Sequence, residues 1–281
     1  MGGLPVRALL RARGIVPRKR LGQHFLADEA VVARILTLAE VGPADVVLEI
    51  GAGLGALTEE LADRAGHLVA LEVDPRLVAY LREQFGGRPH VEVVQADILA
   101  FDLASLARRF QTRLTVVANL PYGIGTEVVF RLLEHRRGFS RLVLMLQKEV
   151  AERIVAAPGT KAYGILSILT RLYADVRLGP RVPRRLFVPV PEVDSAVVRF
   201  DLLEHPRVDA DEEQLRAVVR AALGKRRKTL WNALRSSPAI TAGPEALARG
   251  LARAGVDGGR RGETLSLEEF ANLTQALGKE A

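Results

Sequence analysis

The 281-residue chain contains no cysteine, which excludes disulfides, thiolate metal sites and a cysteine nucleophile. Its five histidines are scattered at His24, His67, His90, His135 and His205, without the spacing of a ligand set, so no metal site is expected. No apolar run approaches the roughly 18 residues that a transmembrane helix requires. The N-terminus lacks the apolar core and cleavage site of a secretion signal. The expected location is the cytoplasm, with no membrane partner. Acidic residues are missing from the first 22 positions, which carry Arg7, Arg11, Arg13, Arg18, Lys19 and Arg20. Lysine is scarce as well, at 6 residues against 34 arginines. Arginine suits bidentate phosphate contact, although thermal adaptation produces the same bias.

Hydrophobic residues make up 48% of the chain and charged residues 26%, as in an ordinary globular protein able to bury a substantial core. The net charge of +7 fits an acidic partner such as nucleic acid. Lys225-Arg226-Arg227-Lys228 forms a second basic cluster, with smaller ones at Arg184-Arg185 and Arg260-Arg261. A charge run is often only a solvated face, so these clusters alone leave nucleic-acid binding open.

The middle of the chain alternates short β-rich runs with helical patterns, which predicts an α/β fold with an open, mostly parallel, Rossmann-like sheet. Strands are expected at Val46–Ile50, Leu68–Glu72, Val91–Gln95, Leu114–Asn119 and Leu142–Gln147, with Val176–Leu178 and Ala196–Leu202 as a last pair at the sheet edge. Helices are expected near 56–64, over Pro75–Phe85, near 126–134 and from Lys148. After Pro206 the spacing of apolar residues becomes purely helical, over Glu212–Leu223, Arg227–Leu234, Pro244–Ala254 and Ser266–Leu277. Thr264 to Glu268 supplies the residue types of a helix start. Three parts are therefore expected: a basic extension over 1–22, an α/β domain over 23–206 and a small all-helical domain over 207–281.

Glu49-Ile50-Gly51-Ala52-Gly53-Leu54-Gly55 ends the first expected strand and opens a helix, where glycines permit a tight turn and close approach of a ligand. The segment fits both the dinucleotide pattern G-x-G-x-x-A and the E-x-G-x-G-x-G form of Rossmann-like methyltransferases. Glu72, at the next strand end, can accept from both ribose hydroxyls under either reading. Asp97-Ile98, after the third, offers an acceptor for an adenine amino group beside a flat apolar contact.

Asn119-Leu120-Pro121-Tyr122 comes after the fourth strand and separates the two readings. Adenine N6 is a poor nucleophile because its lone pair is delocalised into the ring. The Asn119 side-chain oxygen and the Leu120 carbonyl can accept from the two N6 protons and favour the positively charged nitrogen of the transition state. Pro121 stiffens the turn. Tyr122 offers a face on which a flipped base stacks. Hydride transfer gives no reason for this tetrapeptide.

These motifs resemble those of the ribosomal RNA adenine dimethyltransferases, and within them the bacterial small-subunit (16S) enzymes. The resemblance runs from about Leu21 to Leu277. It includes Leu21-Gly22-Gln23-His24-Phe25-Leu26, the glycine loop, Gln95-Ala96-Asp97-Ile98, Leu146 to Arg153 and Phe187 to Ala196. It implies a class I methyltransferase using S-adenosyl-L-methionine, with His24, Leu26, Gly51, Glu72, Asp97 and Asn119 holding the cofactor. It implies that Asn119, Leu120, Tyr122 and Phe187 serve the reaction, with Tyr122 and Phe187 sandwiching the target base. The helical domain would recognise RNA through Lys225, Arg226, Arg227 and Lys228. The partner would be 16S rRNA in the small-subunit precursor, the enzyme a monomer, and the product two adjacent N6,N6-dimethyladenosines near the 3′ end. His24 replaces the family's usual Asn, and Leu223 and Gly224 stand where an aromatic residue usually precedes the basic motif. Three alternatives stand beside this reading: a 23S rRNA adenine N6-methyltransferase of the macrolide-resistance type, a non-catalytic RNA-binding assembly factor, and an NAD-dependent dehydrogenase.

Overall fold

The computed structural model describes residues 6–225 and 227–278. Two compact units divide the chain. The first comprises residues 1–151 and 176–202, and the second 152–175 and 203–281. The boundary near Leu203 lies close to the expected one, but the second unit also takes in Glu152–Asp175. The basic N-terminal segment belongs to the first unit.

The strands are β1 (Phe25–Leu26), β2 (Val46–Ile50), β3 (His67–Glu72), β4 (Val91–Gln95), β5 (Leu114–Asn119), β6 (Phe139–Gln147), β7 (Ala174–Val182), β8 (Phe187–Val188) and β9 (Ser195–Leu202). The helices before residue 206 are α1 (Val6–Ala12), α2 (Glu29–Ala39), α3 (Ala56–Ala62), α4 (Pro75–Phe85), α5 (Leu103–Phe110), α6 (Gly125–Glu134), α7 (Lys148–Val155) and α8 (Ile165–Tyr173). Those after residue 206 are α9 (Glu212–Leu223), α10 (Leu230–Arg235), α11 (Pro244–Ala254) and α12 (Leu267–Gly278).

Seven strands form one sheet in the order β4-β3-β2-β5-β6-β9-β7. Pairing is parallel from β4 through β6, and β9 runs antiparallel to β6. Val47, Leu48, Ile50 and the stretch from Leu114 to Ala118 are buried, as strands covered on both faces require. The order reverses at β2, whose neighbours are β3 on one side and β5 on the other. This is the switch point at which open α/β sheets bind ligands beyond the carboxyl ends of their strands. The register makes the placement concrete. Ile50 pairs with both Leu71 and Ala118, Glu72 pairs with Gln95, and Asn119 pairs with Met145. The glycine loop, Glu72, Asp97 and Asn119 therefore leave the sheet along one edge.

Local chemistry fixes the helices around that edge. Asp74 accepts from the Arg76 amide and Pro75 takes the first position of α4, which sets its start beside Glu72. Asp28 likewise caps α2 by accepting from Val31. Sequence periodicity did not single out α1, α2, α5 or α8, nor the two-residue strands β1 and β8, which pair antiparallel.

In the second unit α9 packs against α8, α10 and α12, and α11 against α12. A Cβ on Gly250 would meet the Leu277 side chain at 2.7 Å, so glycine lets α11 approach α12. The expected cap of α12 shifts by two residues. Ser266 and Glu269 bond each other's amides reciprocally, forming a capping box one turn long. Residues 152–175 join this unit through specific bonds. The Tyr163 hydroxyl donates to the Leu265 carbonyl at 2.9 Å, and that of Tyr173 to Glu212 at 2.5 Å.

Candidate active site

A cavity of about 1190 Å³ opens at the switch point of the first unit. It is lined by every residue expected to hold a cofactor: His24, Leu26, Gly51, Glu72, Asp97 and Asn119. Leu120 and Tyr122 line it as well, and Phe187 does not.

The floor is the glycine loop. Gly51, Gly53 and Gly55 have φ of 76°, 59° and 84°, the left-handed region that L side chains rarely adopt. Gly51 and Ala52 donate to the Leu71 carbonyl at 2.9 and 3.1 Å, and Gly53 donates to Glu72 Oε2 at 3.0 Å. A Cβ on Gly51 would lie 3.5 Å from the Asn119 carbonyl oxygen, so side-chain atoms there would fill the gap between the two strand ends.

Glu72 is 6% exposed. Its Oε1 accepts from the amides of Val73 and Asp74 at 2.8 and 2.9 Å. Burial pushes its carboxyl up, and the three main-chain donors work against that shift. A carboxylate has about four acceptor sites, so Oε2 retains capacity for a hydroxyl. Asp97 is exposed at the rim, with Oδ1 accepting from the Leu99 amide at 2.9 Å. Ile98 beside it is buried.

Sequence reasoning passed over Glu49 as part of a motif. It is 1% exposed and lines the same cavity. Burial pushes its carboxyl up to about 8, and the charge of neighbouring Glu72 acts in the same direction. Its Oε2 is buried without a hydrogen-bond partner among the described residues. A buried acceptor left unpaired is costly unless a ligand supplies a donor.

The N-terminal segment forms a wall of the cavity. Val6, Leu9 and Arg13 line it, while Leu10 and Ile15 pack with Phe25 and Leu77. Arg13 pairs with Glu83 at 2.7 Å and lies over the Tyr80 ring. Arg18 lies 3.6 Å from Asp74, and Gln23 donates to Asp74 at 3.0 Å. Asp74 is held well below the usual carboxylate range, chiefly by its hydrogen bonds from Arg76. Two of the six basic residues of this segment thus hold it in place.

The other end of the cavity is built on Asn119 to Tyr122. Asn119 Nδ2 donates to the His24 carbonyl at 3.4 Å, which orients the amide and commits its nitrogen. The Leu120 amide donates to the Met145 carbonyl at 3.1 Å. The Tyr122 hydroxyl and Ser195 Oγ are 2.6 Å apart, and burial raises the phenol's pKa. His24 stacks on the Tyr122 ring, with centroids 5.2 Å apart and planes 28° apart.

The expected sandwich of Tyr122 with Phe187 is not assembled in this structure. Phe187 is 1% exposed, pairs with Leu26 across β1 and β8, and belongs to the apolar core. Among the residues expected to bind RNA, Lys225, Arg227 and Lys228 are exposed in the second unit, with Lys225 bonded to Ser236 at 3.0 Å. Arg226 lies outside the described residues.

The profile of a family described as ribosomal RNA adenine dimethylase matches residues 16–278. A ribosomal RNA small subunit methyltransferase A of Geobacter sulfurreducens is 52% identical over 270 residues, covering 95% of this chain and 98% of that protein. The crystal structure of a 23S rRNA methyltransferase, ErmE, superposes with a TM-score of 0.69 at 31% identity, covering 90% of this chain and 99% of the other. That of a dimethyladenosine transferase from Plasmodium falciparum superposes with a TM-score of 0.76 at 24% identity, covering 92% and 98%, which speaks for the fold.

Proposed function

The chain belongs to the ribosomal RNA adenine dimethylase family, and from that premise we propose that it dimethylates N6 of two adjacent adenosines near the 3′ end of 16S rRNA in the assembling small ribosomal subunit. The methyl donor is S-adenosyl-L-methionine, and the enzyme works in the cytoplasm as a monomer. The observation that carries the chemistry is the committed amide of Asn119. With its nitrogen engaged at the His24 carbonyl, its oxygen is the end left to accept.

The cavity suits the donor on its own chemistry. The glycine floor admits close approach of a ligand. Glu72 Oε2 has capacity for a ribose hydroxyl, and Asp97 and Ile98 suit an adenine. The unpartnered Glu49 oxygen suits an ammonium donor. S-adenosyl-L-methionine supplies a methyl made electrophilic by its sulfonium.

The chain's own residues prepare the nucleophile. Asn119 Oδ1 and the Leu120 carbonyl accept from the two N6 protons, hold the amine for in-line attack, and favour positive charge growing on nitrogen. No strong base is needed, because the methylated, cationic nitrogen loses its proton readily. Tyr122, fixed through Ser195, offers the stacking surface. Lys225, Arg227 and Lys228 contact phosphates and position the RNA without touching the chemistry.

The 31% identity with a 23S rRNA methyltransferase keeps the large subunit as a second reading. The 52% identity with a small-subunit enzyme favours the first. Incubation of both rRNAs with labelled cofactor, followed by mass spectrometry, separates them. Label in dimethyladenosine of 16S rRNA is expected. Label confined to 23S rRNA would retain the chemistry and discard the substrate.

A further inference from the structure

The target base has to reach Tyr122, and in this structure another aromatic ring already covers one face of it. His24 stacks there with its centroid 5.2 Å from that of Tyr122. Stacked aromatic pairs have centroids about 4.5–7 Å apart, so no purine fits between these two rings. Tyr122 is not free to turn away, because its hydroxyl is bonded to Ser195 Oγ at 2.6 Å. Phe187, the other expected wall, is in the core.

The His24 ring is held differently from its main chain. The main chain is anchored by Asn119 Nδ2 at its carbonyl and by the adjoining β1–β8 pair. The ring is held by Nδ1 at 2.7 Å from the Pro189 carbonyl. A carbonyl oxygen only accepts, so Nδ1 carries the proton. One hydrogen bond and one stacking contact are modest restraints, and a rotation about side-chain torsions breaks both without moving the backbone.

We propose that His24 is a placeholder for the target adenine. It covers the Tyr122 ring in the target-free enzyme, and the entering base displaces it. It is thus a positioning residue for the target base, in addition to its place in the lining of the cofactor cavity. An imidazole is the five-membered half of a purine, and in this slot it keeps the Tyr122 face dry until a larger ring replaces it. The anchoring of the His24 carbonyl by Asn119 keeps the amide that receives N6 in place while the ring swings.

The inference rests on the adenine N6 reading, so its test has two parts. In the first, the wild-type protein transfers labelled methyl to small-subunit rRNA. Failure there removes the reading and the placeholder with it. The second uses adenosine 5′-monophosphate as the probe, with the cofactor site saturated by S-adenosylhomocysteine. The His24 ring protons, assigned by their loss in His24→Asn, are expected to carry an upfield ring-current shift from Tyr122. Adding the nucleotide should abolish that shift.

Both His24→Ala and His24→Asn should bind the nucleotide about two- to tenfold more tightly, since no stacking contact has to be broken first. Weaker nucleotide binding by the variants would make His24 a permanent wall. An unmoved His24 resonance would place the base on another surface. Each of these results overturns the proposal.

Discussion

The two ends of the cavity solve opposite problems. At the carboxyl ends of β2 and β3 the polar groups are bound by the fold itself. Glu72 takes three main-chain amides, and the glycine loop is tied to Leu71. At the end of β5 the groups are oriented but held lightly, by a 3.4 Å amide bond and a stacked imidazole. On the function proposed above, the first end keeps one ligand geometry and the second exchanges its occupant. Mutations at the two ends should therefore separate binding from turnover.

The sharpest way to break that comparison is Asn119→Ala. The side chain sits at a strand end, so the fold should survive. Loss of one positioned acceptor should lower turnover about 10²–10³-fold, or roughly 3–4 kcal/mol, a larger loss than any in cofactor affinity. Monomethyladenosine offers only one N6 proton, so dimethylation should suffer most. Single-turnover assays that count mono- and dimethyladenosine separately check this. An equal loss in cofactor binding would merge the two ends into one unit.

Glu72→Ala should do the reverse. It leaves the amides of Gly53, Val73 and Asp74 without their acceptor and removes the acceptor proposed for a ribose hydroxyl. Cofactor affinity should fall by about 1–3 kcal/mol per lost buried bond, and thermal stability should fall with it. Calorimetry and melting curves on the same sample test the pair of effects. Wild-type cofactor affinity in Glu72→Ala would move the ribose elsewhere.

Much of the first end was legible because one rule places it. When strands alternate with helices in a parallel sheet, the residues just after each strand gather on one sheet edge. Gly51, Glu72, Asp97 and Asn119 could therefore be grouped from spacing alone. The illegible part depends on long-range packing. Phe187 looks like a stacking residue until β8 pairs with β1 and turns it into the core. The N-terminal basic residues look like a phosphate arm until Arg13 and Arg18 meet Glu83 and Asp74. His24 reads as a motif residue, and only the fold brings it to Tyr122. Glu49 reads in the sequence only as the first residue of the glycine motif, and its burial shows once β2 is covered on both faces.

Glu49 sharpens the comparison through pH. Its carboxyl is raised to about 8 in the fold, against about 4.3 in an unfolded chain. Between those values the native state holds a proton that the unfolded state has lost. Stability of the ligand-free protein is therefore fully present below the lower value and declines as pH rises toward the upper, by at most about 1.4 kcal/mol per pH unit. Glu49→Gln should flatten this decline, because the amide needs no proton to remain neutral. Chemical denaturation from pH 5 to 9 measures both slopes. Parallel curves for wild type and variant would mean that Glu49 ionises freely in the fold and that the first end is wetter than it looks.

The smallest effect should come from the basic cluster of the second unit, and it tests whether RNA affinity is separate from both ends of the cavity. Lys225, Arg227 and Lys228 are exposed, so neutralising them removes no core contact and should leave the melting temperature and cofactor affinity as they were. Each lost phosphate contact should instead reduce the slope of log affinity against log salt by about 0.7–0.9. The loss should be similar for matched and mismatched RNA sequences, because phosphates carry no base identity. Binding of small-subunit RNA by Lys225→Gln, Arg227→Gln and Lys228→Gln, singly and combined, across a salt series reads this directly. An unchanged slope in the triple variant would reduce the cluster to a solvated face and shift the search for RNA contacts to Arg7, Arg11, Lys19 and Arg20, which are exposed in the N-terminal segment.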